Sequence, residues 1–505
     1  MLGCDVGSQG TLAALYTADG RLVDHEYVAY DVAFPRPGWA EQDAGLWSGA
    51  LERACRAVVS RFDGPRDAIR ALSFASQLDG QVPLDGAGHP LRPCLIWMDR
   101  RAEAQAAGLR ESVSAERFYE LSGVNLDSSH GAFKALWLRD EEPDVFARTR
   151  TLATPGTYAA LACCGERAVD FSNASSTGLL DPRTRAWSPE LLGAVGLDPA
   201  LLPRVEPATA VLGPVTGAFA QVTGLAPGTA VVLGCGDEMA ATLGAGVTEE
   251  GEVCDVVGTA EPVCAVSAGP LADPTMLVEC HPHADPEAWL LENPGFVSGG
   301  NLRWFRDELG APERAAEAAG GADAYETLGR AASDVAPGSD GLVFLPCMQG
   351  AMAPEWNGAA RGVFFGLTLA HTRAHLFRAV LEGSAYALRD ILGAMNGCGL
   401  EPRRLTMVGG GAKGALWRSI KADVTGLPVR RTEDPETTAA GAALLATVGV
   451  GLHPTCAEAA ARFVRHAPDE DEPDAARRER YDEAYALYRD LYAACRPLFG
   501  RTGVA

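Results

Sequence analysis

Val231-Val232-Leu233-Gly234-Cys235-Gly236-Asp237-Glu238-Met239-Ala240-Ala241 is the stretch around which the rest of the chain makes sense. Thr229 to Leu233 is a short β-branched, apolar run introduced by Pro227-Gly228, and reads as a buried strand. Gly234 and Gly236 let the backbone turn and approach a neighbour closely. The small helix formers Ala240, Ala241 and Ala245 then allow a tightly packed helix. Asp237 therefore stands at the C-terminal end of a buried strand, where α/β sheets place their ligands. The alternative is that Asp237 caps the helix that follows.

The bulk composition narrows the field. The 505 residues suffice for two to four domains with large cores, and 47% hydrophobic with 22% charged residues is ordinary globular chemistry. A net charge of −23 argues against nucleic acid or an anionic membrane surface as partner. It leaves room for an anionic nucleotide, which a few backbone N–H groups can hold locally. The 13 cysteines follow no CxxC or framework spacing, so a reduced, cytoplasmic setting is expected. Cys280-His281-Pro282-His283 is spaced poorly for a tetrahedral metal. No apolar run reaches membrane-spanning length, and nothing before Asp5 reads as a signal peptide.

Working outward, Met1–Val6 and Leu12–Tyr16 read as strands joined by Gly7-Ser8-Gln9-Gly10-Thr11, and Leu22–Tyr30 as a third. A Gly/Ser/Thr tip can cradle phosphate, and Asp5 beside it suits a hydrated Mg²⁺. An ordinary hairpin is the alternative. Ala44–Arg61 carries helical spacing, and a strand over 68–75 leads to Gln77, Leu78 and Asp79, polar candidates for gripping a polyhydroxylated ligand. Trp97 and Asp99 repeat that design, although Trp97 can equally be core. Asp170 to Ser175 reads as a polar turn.

Glu252–Val257, Gly258-Thr259-Ala260-Glu261 and Pro262–Val266 repeat the Asp5 hairpin, a weak internal duplication with one phosphate-sized tip per half. Leu405–Val408 leads into Gly409-Gly410-Gly411-Ala412-Lys413 and a helix, a turn suited to a nucleotide edge, though neither GxGxxG nor the Walker pattern is present. Residues 470–495 predict a tyrosine-rich C-terminal helix docked on the surface.

Together these motifs resemble the FGGY family of carbohydrate kinases over nearly the full length, most closely its xylulokinase-like branch. The most specific match is Gly362-Val363-Phe364-Phe365-Gly366-Leu367, followed by His375-Leu376 and Ala379-Val380-Leu381-Glu382. Asp5 to Thr11, Trp97-Met98-Asp99-Arg100-Arg101, Gly236-Asp237, Gly258-Thr259 and Gly409 to Ala412 support it.

The resemblance implies an α/β fold of two actin-like (ribonuclease-H-like) ATPase domains flanking a catalytic cleft: 1–247 sugar-binding, 248–505 nucleotide-binding with a helical tail. It implies ATP and Mg²⁺ as cofactors and phosphorylation of a sugar hydroxyl; a homodimer is one assembly that the sequence leaves open. Asp237 would be the general base and Asp5 the Mg²⁺ residue. Gly7, Ser8, Gln9, Gly10, Thr11, Gly258 and Thr259 would face the phosphates, and Gly410, Gly411 and Ala412 the nucleoside. Gln77, Leu78, Asp79, Trp97, Asp99 and Asp237 would line the sugar.

Some positions depart from the pattern. Leu12 replaces a frequent Lys, Glu261 places an anion near the phosphates, and Gln77-Leu78-Asp79 replaces the Gln-Met-His of D-xylulose kinases. Asp79 either accepts from a sugar hydroxyl or turns away to pair with an Arg. A pentulose is the leading substrate expectation, with a glycerol- or erythritol-type polyol kinase and a catalytically weak sugar sensor as rivals.

Overall fold

The computed structural model describes residues 1–501. Its strands form two large six-stranded sheets, whose members we number β1 to β12. The first sheet comprises β1 (Leu2–Val6), β2 (Gly10–Tyr16), β3 (Leu22–Ala29), β4 (Ala71–Ser76), β5 (Val211–Pro214) and β6 (Ala230–Gly236), in the order β5-β6-β4-β1-β2-β3. The second comprises β7 (Glu252–Val256), β8 (Ala260–Ser267), β9 (Glu279–Pro282), β10 (Trp289–Val297), β11 (Arg404–Val408) and β12 (Val429–Arg431), in the order β9-β10-β8-β7-β11-β12.

The duplication suspected from two hairpin tips extends through both sheets. In each, a leading strand pairs antiparallel with the next, which pairs antiparallel with a third. On its other side the leading strand pairs parallel with a fourth strand, and that with a fifth. These are two α/β domains of the actin-like ATPase kind.

The helices that position the cleft are α1 (Ala44–Arg61), α2 (Gly131–Glu141), α3 (Phe171–Ser176), α4 (Asp237–Gly244), α5 (Arg373–Gly397), α6 (Ala415–Thr425), α7 (Thr437–Gly449) and α8 (Ala475–Phe499). α1 starts where predicted, with the Asp43 side chain accepting from Gly45 N–H, and buries Trp47, Leu51 and Val58 on the first sheet. The lobes join where α4 of the first half meets α7 of the second. A Cβ on Gly441 would fall 1.9 Å from the Ala240 carbonyl oxygen, so only glycine lets these backbones touch.

Two segments differ from expectation. Asp170 to Ser175 is no open turn: Asp170 ends a strand and caps α3, accepting from Ser172 N–H at 2.8 Å, and the helix is buried. Its short run of serines disguises a buried element, because each hydroxyl is spent on a specific partner. α8 is more than a surface attachment. It drives Tyr481 and Tyr488 into the core of the second lobe, where Tyr481 Oη accepts from the buried Arg378 at 2.7 Å.

Candidate active site

β6 does not turn at Gly234, as glycine content alone suggests; it runs on to Gly236 with an irregularity against β4 between Val232 and Cys235. Gly234 has φ +76°, and a Cβ there would lie 1.8 Å from the Phe74 carbonyl oxygen. Only glycine permits the bulge, and the bulge sets the direction in which β6 delivers Asp237. Gly236 occupies the N-cap position and Asp237 is the first helical residue, with no side-chain capping bond. That removes the capping alternative. A carboxylate in a first helical turn is favoured by the helix dipole in any case.

Asp237 Oδ1 is buried without a hydrogen-bond partner, as are Asp5 Oδ1 and Glu238 Oε2. Burial pushes the Asp237 carboxyl well above its ordinary range, and the neighbouring Glu238 and then Asp5 add to the rise. Asp5 is raised to about 7, first by burial and then by Glu436 and Glu238. No cation contributes to either shift. Such a donor set, acidic and unpaired, fits a divalent cation. Mg²⁺ keeps several of its waters and is held through one or two carboxylates together with substrate phosphates, and Asp5 would be such a carboxylate. Glu238 and Glu436 escaped the sequence reading because a single glutamate at a helix start has no distinctive spacing.

The phosphate hairpins are closed as expected, by Gly7 N–H to the Gly10 carbonyl at 3.1 Å and Gly258 N–H to the Ala260 carbonyl at 3.0 Å. Gln9, Gly258, Thr259 and Gly410 are exposed at the tips, and Gly411 lies partly covered beside them. Arg303, not singled out from sequence, lies with Nη2 3.4 Å from Thr259 Oγ1 and supplies a cation there. Thr11 and Ala412 depart from expectation. Thr11 is fully buried and its hydroxyl meets Tyr30 Oη at 3.2 Å, while Ala412 is buried and its carbonyl accepts from Arg418 at 2.8 Å. Both hold their turns in place. Leu12 packs into the core. Glu261 is no free anion, because Lys421 and Ser298 engage it.

On the sugar side, Trp97 is 44% exposed, which ends the core alternative, and its Nε1 donates to Ser8 Oγ at 2.8 Å. Ser8 in turn donates to Gln77 Oε1 at 3.2 Å, and Gln77 Nε2 donates to Gln42 Oε1 at 3.0 Å. Gln77 is thus buried and occupied at both ends, a brace beneath the hairpin. Leu78 is half-buried, with Cδ2 2.5 Å from where a Cβ on Gly236 would stand. Asp99 is a correction. It is fully buried, accepts from Ala40 N–H at 2.7 Å, and is clasped by Arg101 Nη2 at 2.7 Å, so it shapes the Trp97 turn and faces no ligand.

Asp79 neither stands alone nor pairs with an Arg. It has φ +59°, its Oδ1 lies 3.1 Å from His130 Nδ1, and its carbonyl accepts from Lys134 at 2.7 Å. Burial pulls the His130 imidazole down, but the Asp79 carboxylate and its hydrogen bond, with Glu279 and Asp127, together more than offset it, and the group rises to about 9. A raised pKa means that the folded state binds the proton more tightly. The resulting stability is complete below about 6.5 and is lost as pH rises through about 9. Relative to His130→Gln, the wild type should lose up to about 3 kcal/mol between those limits in chemical denaturation. A difference that stays flat with pH would place the proton elsewhere.

Two α/β lobes of like topology, a glycine-and-hydroxyl hairpin in each and a buried carboxyl at a strand end fit a sugar-phosphorylating ATPase. Residues 1–244 match the N-terminal domain, and residues 255–450 the C-terminal domain, of the FGGY family of carbohydrate kinases. The chain belongs to that family, and is an ATP-dependent sugar phosphotransferase working with Mg²⁺. It is 33% identical over 508–513 aligned residues to proteins such as the autoinducer-2 kinase of Klebsiella pneumoniae, covering 98% of this chain and 93% of that one. It is 29% identical to the gluconokinase of Bacillus subtilis, covering 93% and 92%. The solved xylulose kinase of Rhodospirillum rubrum superposes with a TM-score of 0.90 at 31% identity, covering 99% of each chain. Among the described residues no helix is long and apolar enough to cross a membrane.

Proposed function

We propose that this kinase phosphorylates a neutral polyhydroxylated sugar, a pentulose foremost, with Asp237 as general base. Residues 1–247 form the sugar lobe and 248–505 the nucleotide lobe in this reading. One observation carries it: the polar atoms left unpaired around the end of β6 are overwhelmingly carboxylate oxygens. Asp237 Oδ1 and Glu238 Oε2 are buried without hydrogen-bond partners, and Glu292, whose Oε2 lies 3.6 Å from His281 Nε2, is pushed well above its ordinary range by burial, then by Glu238, Glu279 and Asp79. The nearby cations, His130 and Lys134, already serve Asp79. Carboxyl oxygens accept, and those that keep a proton also donate, so the matching ligand presents hydroxyls, which do both. A sugar acid such as gluconate would add one more anion to this group, which argues against an aldonate as substrate.

Phosphoryl transfer needs positioning and charge neutralisation more than covalent help. Mg²⁺, when bound, neutralises charge on the ATP phosphates, and Asp5 would hold it. Gly7 to Gly10, Gly258 and Thr259 would orient the phosphates through backbone N–H groups and hydroxyls, with Arg303 adding charge. Gly410 and Gly411 would border the nucleoside. Asp237 would take the proton of the attacking hydroxyl, while Trp97, Leu78 and Asp79 would border the sugar. Closure of the lobes would exclude water and limit wasteful ATP hydrolysis.

Assaying pentuloses, hexuloses, polyols and aldonates with ATP tests the reading. Pentuloses should be phosphorylated with the highest kcat/KM and gluconate poorly; preference for gluconate or for glycerol would overturn it. Asp79→His should reorder the pentuloses by about 10-fold, the scale of one lost hydrogen bond to a buried charged group. An unchanged ranking would remove Asp79 from substrate recognition.

A further inference from the structure

Two parts of the sugar side and one residue of the other lobe converge on α3. Ser172 Oγ accepts from Gly236 N–H at 2.9 Å, fixing the backbone just ahead of Asp237. Ser176 Oγ accepts from Asp79 N–H at 3.4 Å. Between them, Ser175 Oγ lies 3.0 Å from Nδ1 of His281, which belongs to the other lobe. α3 cannot absorb a displacement easily. Asp170 holds its first turn, the Asn173 side chain donates to Asp170 Oδ1 at 2.6 Å, and Ser76 donates to Asn173 Oδ1 at 3.3 Å. A shift of Ser175 is therefore passed to Gly236 and to Asp79.

His281 is itself held rigidly. Glu279 and Glu292 stand directly opposite each other on β9 and β10, an arrangement of like charges that repels. His281 Nε2 lies 3.6 Å from an oxygen of each. All three side chains are buried. With Nε2 fixed between two carboxyls, Nδ1 is directed at Ser175. Other bonds on this seam, among them Cys280 N–H to the Gly123 carbonyl at 2.8 Å, Tyr119 Oη to the Val278 carbonyl at 2.7 Å and Asn125 N–H to Glu279 Oε1 at 2.7 Å, dock the lobes without touching α3.

We infer that His281 is a positioning residue, which through Ser175 and α3 ties docking of the nucleotide lobe to the alignment of Asp237 and Asp79. The inference rests on the kinase reading above. It assigns work to a Cys-His-Pro-His segment that otherwise suggests a poor metal site.

Side-chain geometry supplies the test. Asn places its amide near the position of Nδ1, whereas Gln reaches the position of Nε2. His281→Gln and Ser175→Ala should each lower kcat by about 10-fold, with the KM for ATP within about twofold of wild type. His281→Asn should restore most of the turnover. The double variant His281→Gln/Ser175→Ala should be no slower than His281→Gln, because both remove one interaction. If His281→Asn is as slow as His281→Gln, or if the two losses multiply, the inference fails. Ser175→Ala is mild enough to decide the matter alone should the His281 variants not fold: wild-type kcat in that variant also overturns it. A wild-type chain that phosphorylates no sugar would instead defeat the kinase reading.

Discussion

Asp237→Asn is expected to lower kcat by about 10²-fold or more while ATP and sugar still bind. The amide matches the carboxylate in shape but cannot accept a proton from a hydroxyl. The structure sharpens the expectation in two ways. Asp237 makes no side-chain capping bond, so its replacement breaks no hydrogen bond at the start of α4. Its carboxyl is also raised by burial and by the acidic neighbours Glu238 and Asp5, which gives it more affinity for a proton than an exposed aspartate has. Isothermal titration with sugar and with an ATP analogue, beside steady-state turnover, separates the outcomes. Binding lost with kcat intact would make Asp237 a binding residue, and the base would have to be sought elsewhere in the cleft.

How far the sequence reading reached depended on whether a residue's role is local. The strand end at Asp237, the hairpin tips and the tyrosine helix are set by neighbours in the chain, and their patterns predicted them. Asp99 looked like a ligand residue because it follows Trp97, but its partner Arg101 and the Ala40 N–H decide that it is sealed inside. His130 stands 51 residues from Asp79, and no local pattern joins them. α3 was misread because serine-rich stretches favour turns when their hydroxyls meet only their own backbone. Here Ser172, Ser175 and Ser176 bond groups far away in sequence, and those tertiary partners override the local preference. The substrate is the hardest part to read, because it depends on carboxyls brought together from both lobes.

Glu261 was the departure that most threatened a functioning nucleotide site, and its neutralisation leads to the largest expected loss of stability. Lys421 Nζ lies 2.9 Å from Glu261 Oε1 and closer still to Asp255 Oδ2, with all three side chains fully buried. One ammonium thus serves two carboxyls directly beneath the Gly258-Thr259 turn. Burial and Asp255 raise Glu261 to about 8 even with Lys421 opposing them. Lys421→Met would leave both carboxyls buried and facing each other. Breaking a buried pair in this way costs about 3–5 kcal/mol, far more than the pair contributes over an apolar replacement. The sign of the pH dependence follows from linkage. A carboxyl raised in the folded state stabilises most below its unfolded pKa and loses that contribution as pH rises through the folded value. Lys421 lowers Glu261 in the wild type, so in Lys421→Met the carboxyl is raised further and its loss runs on past pH 8; the deficit in urea denaturation should accordingly be larger at pH 9 than at pH 5. Adding Glu261→Gln should recover part of it, since one of the two stranded charges is gone. A deficit that does not change with pH and is not relieved by Glu261→Gln would mean that Lys421 acts through packing on Trp417, whose ring lies 4.9 Å from Nζ, and that Glu261 does not depend on it.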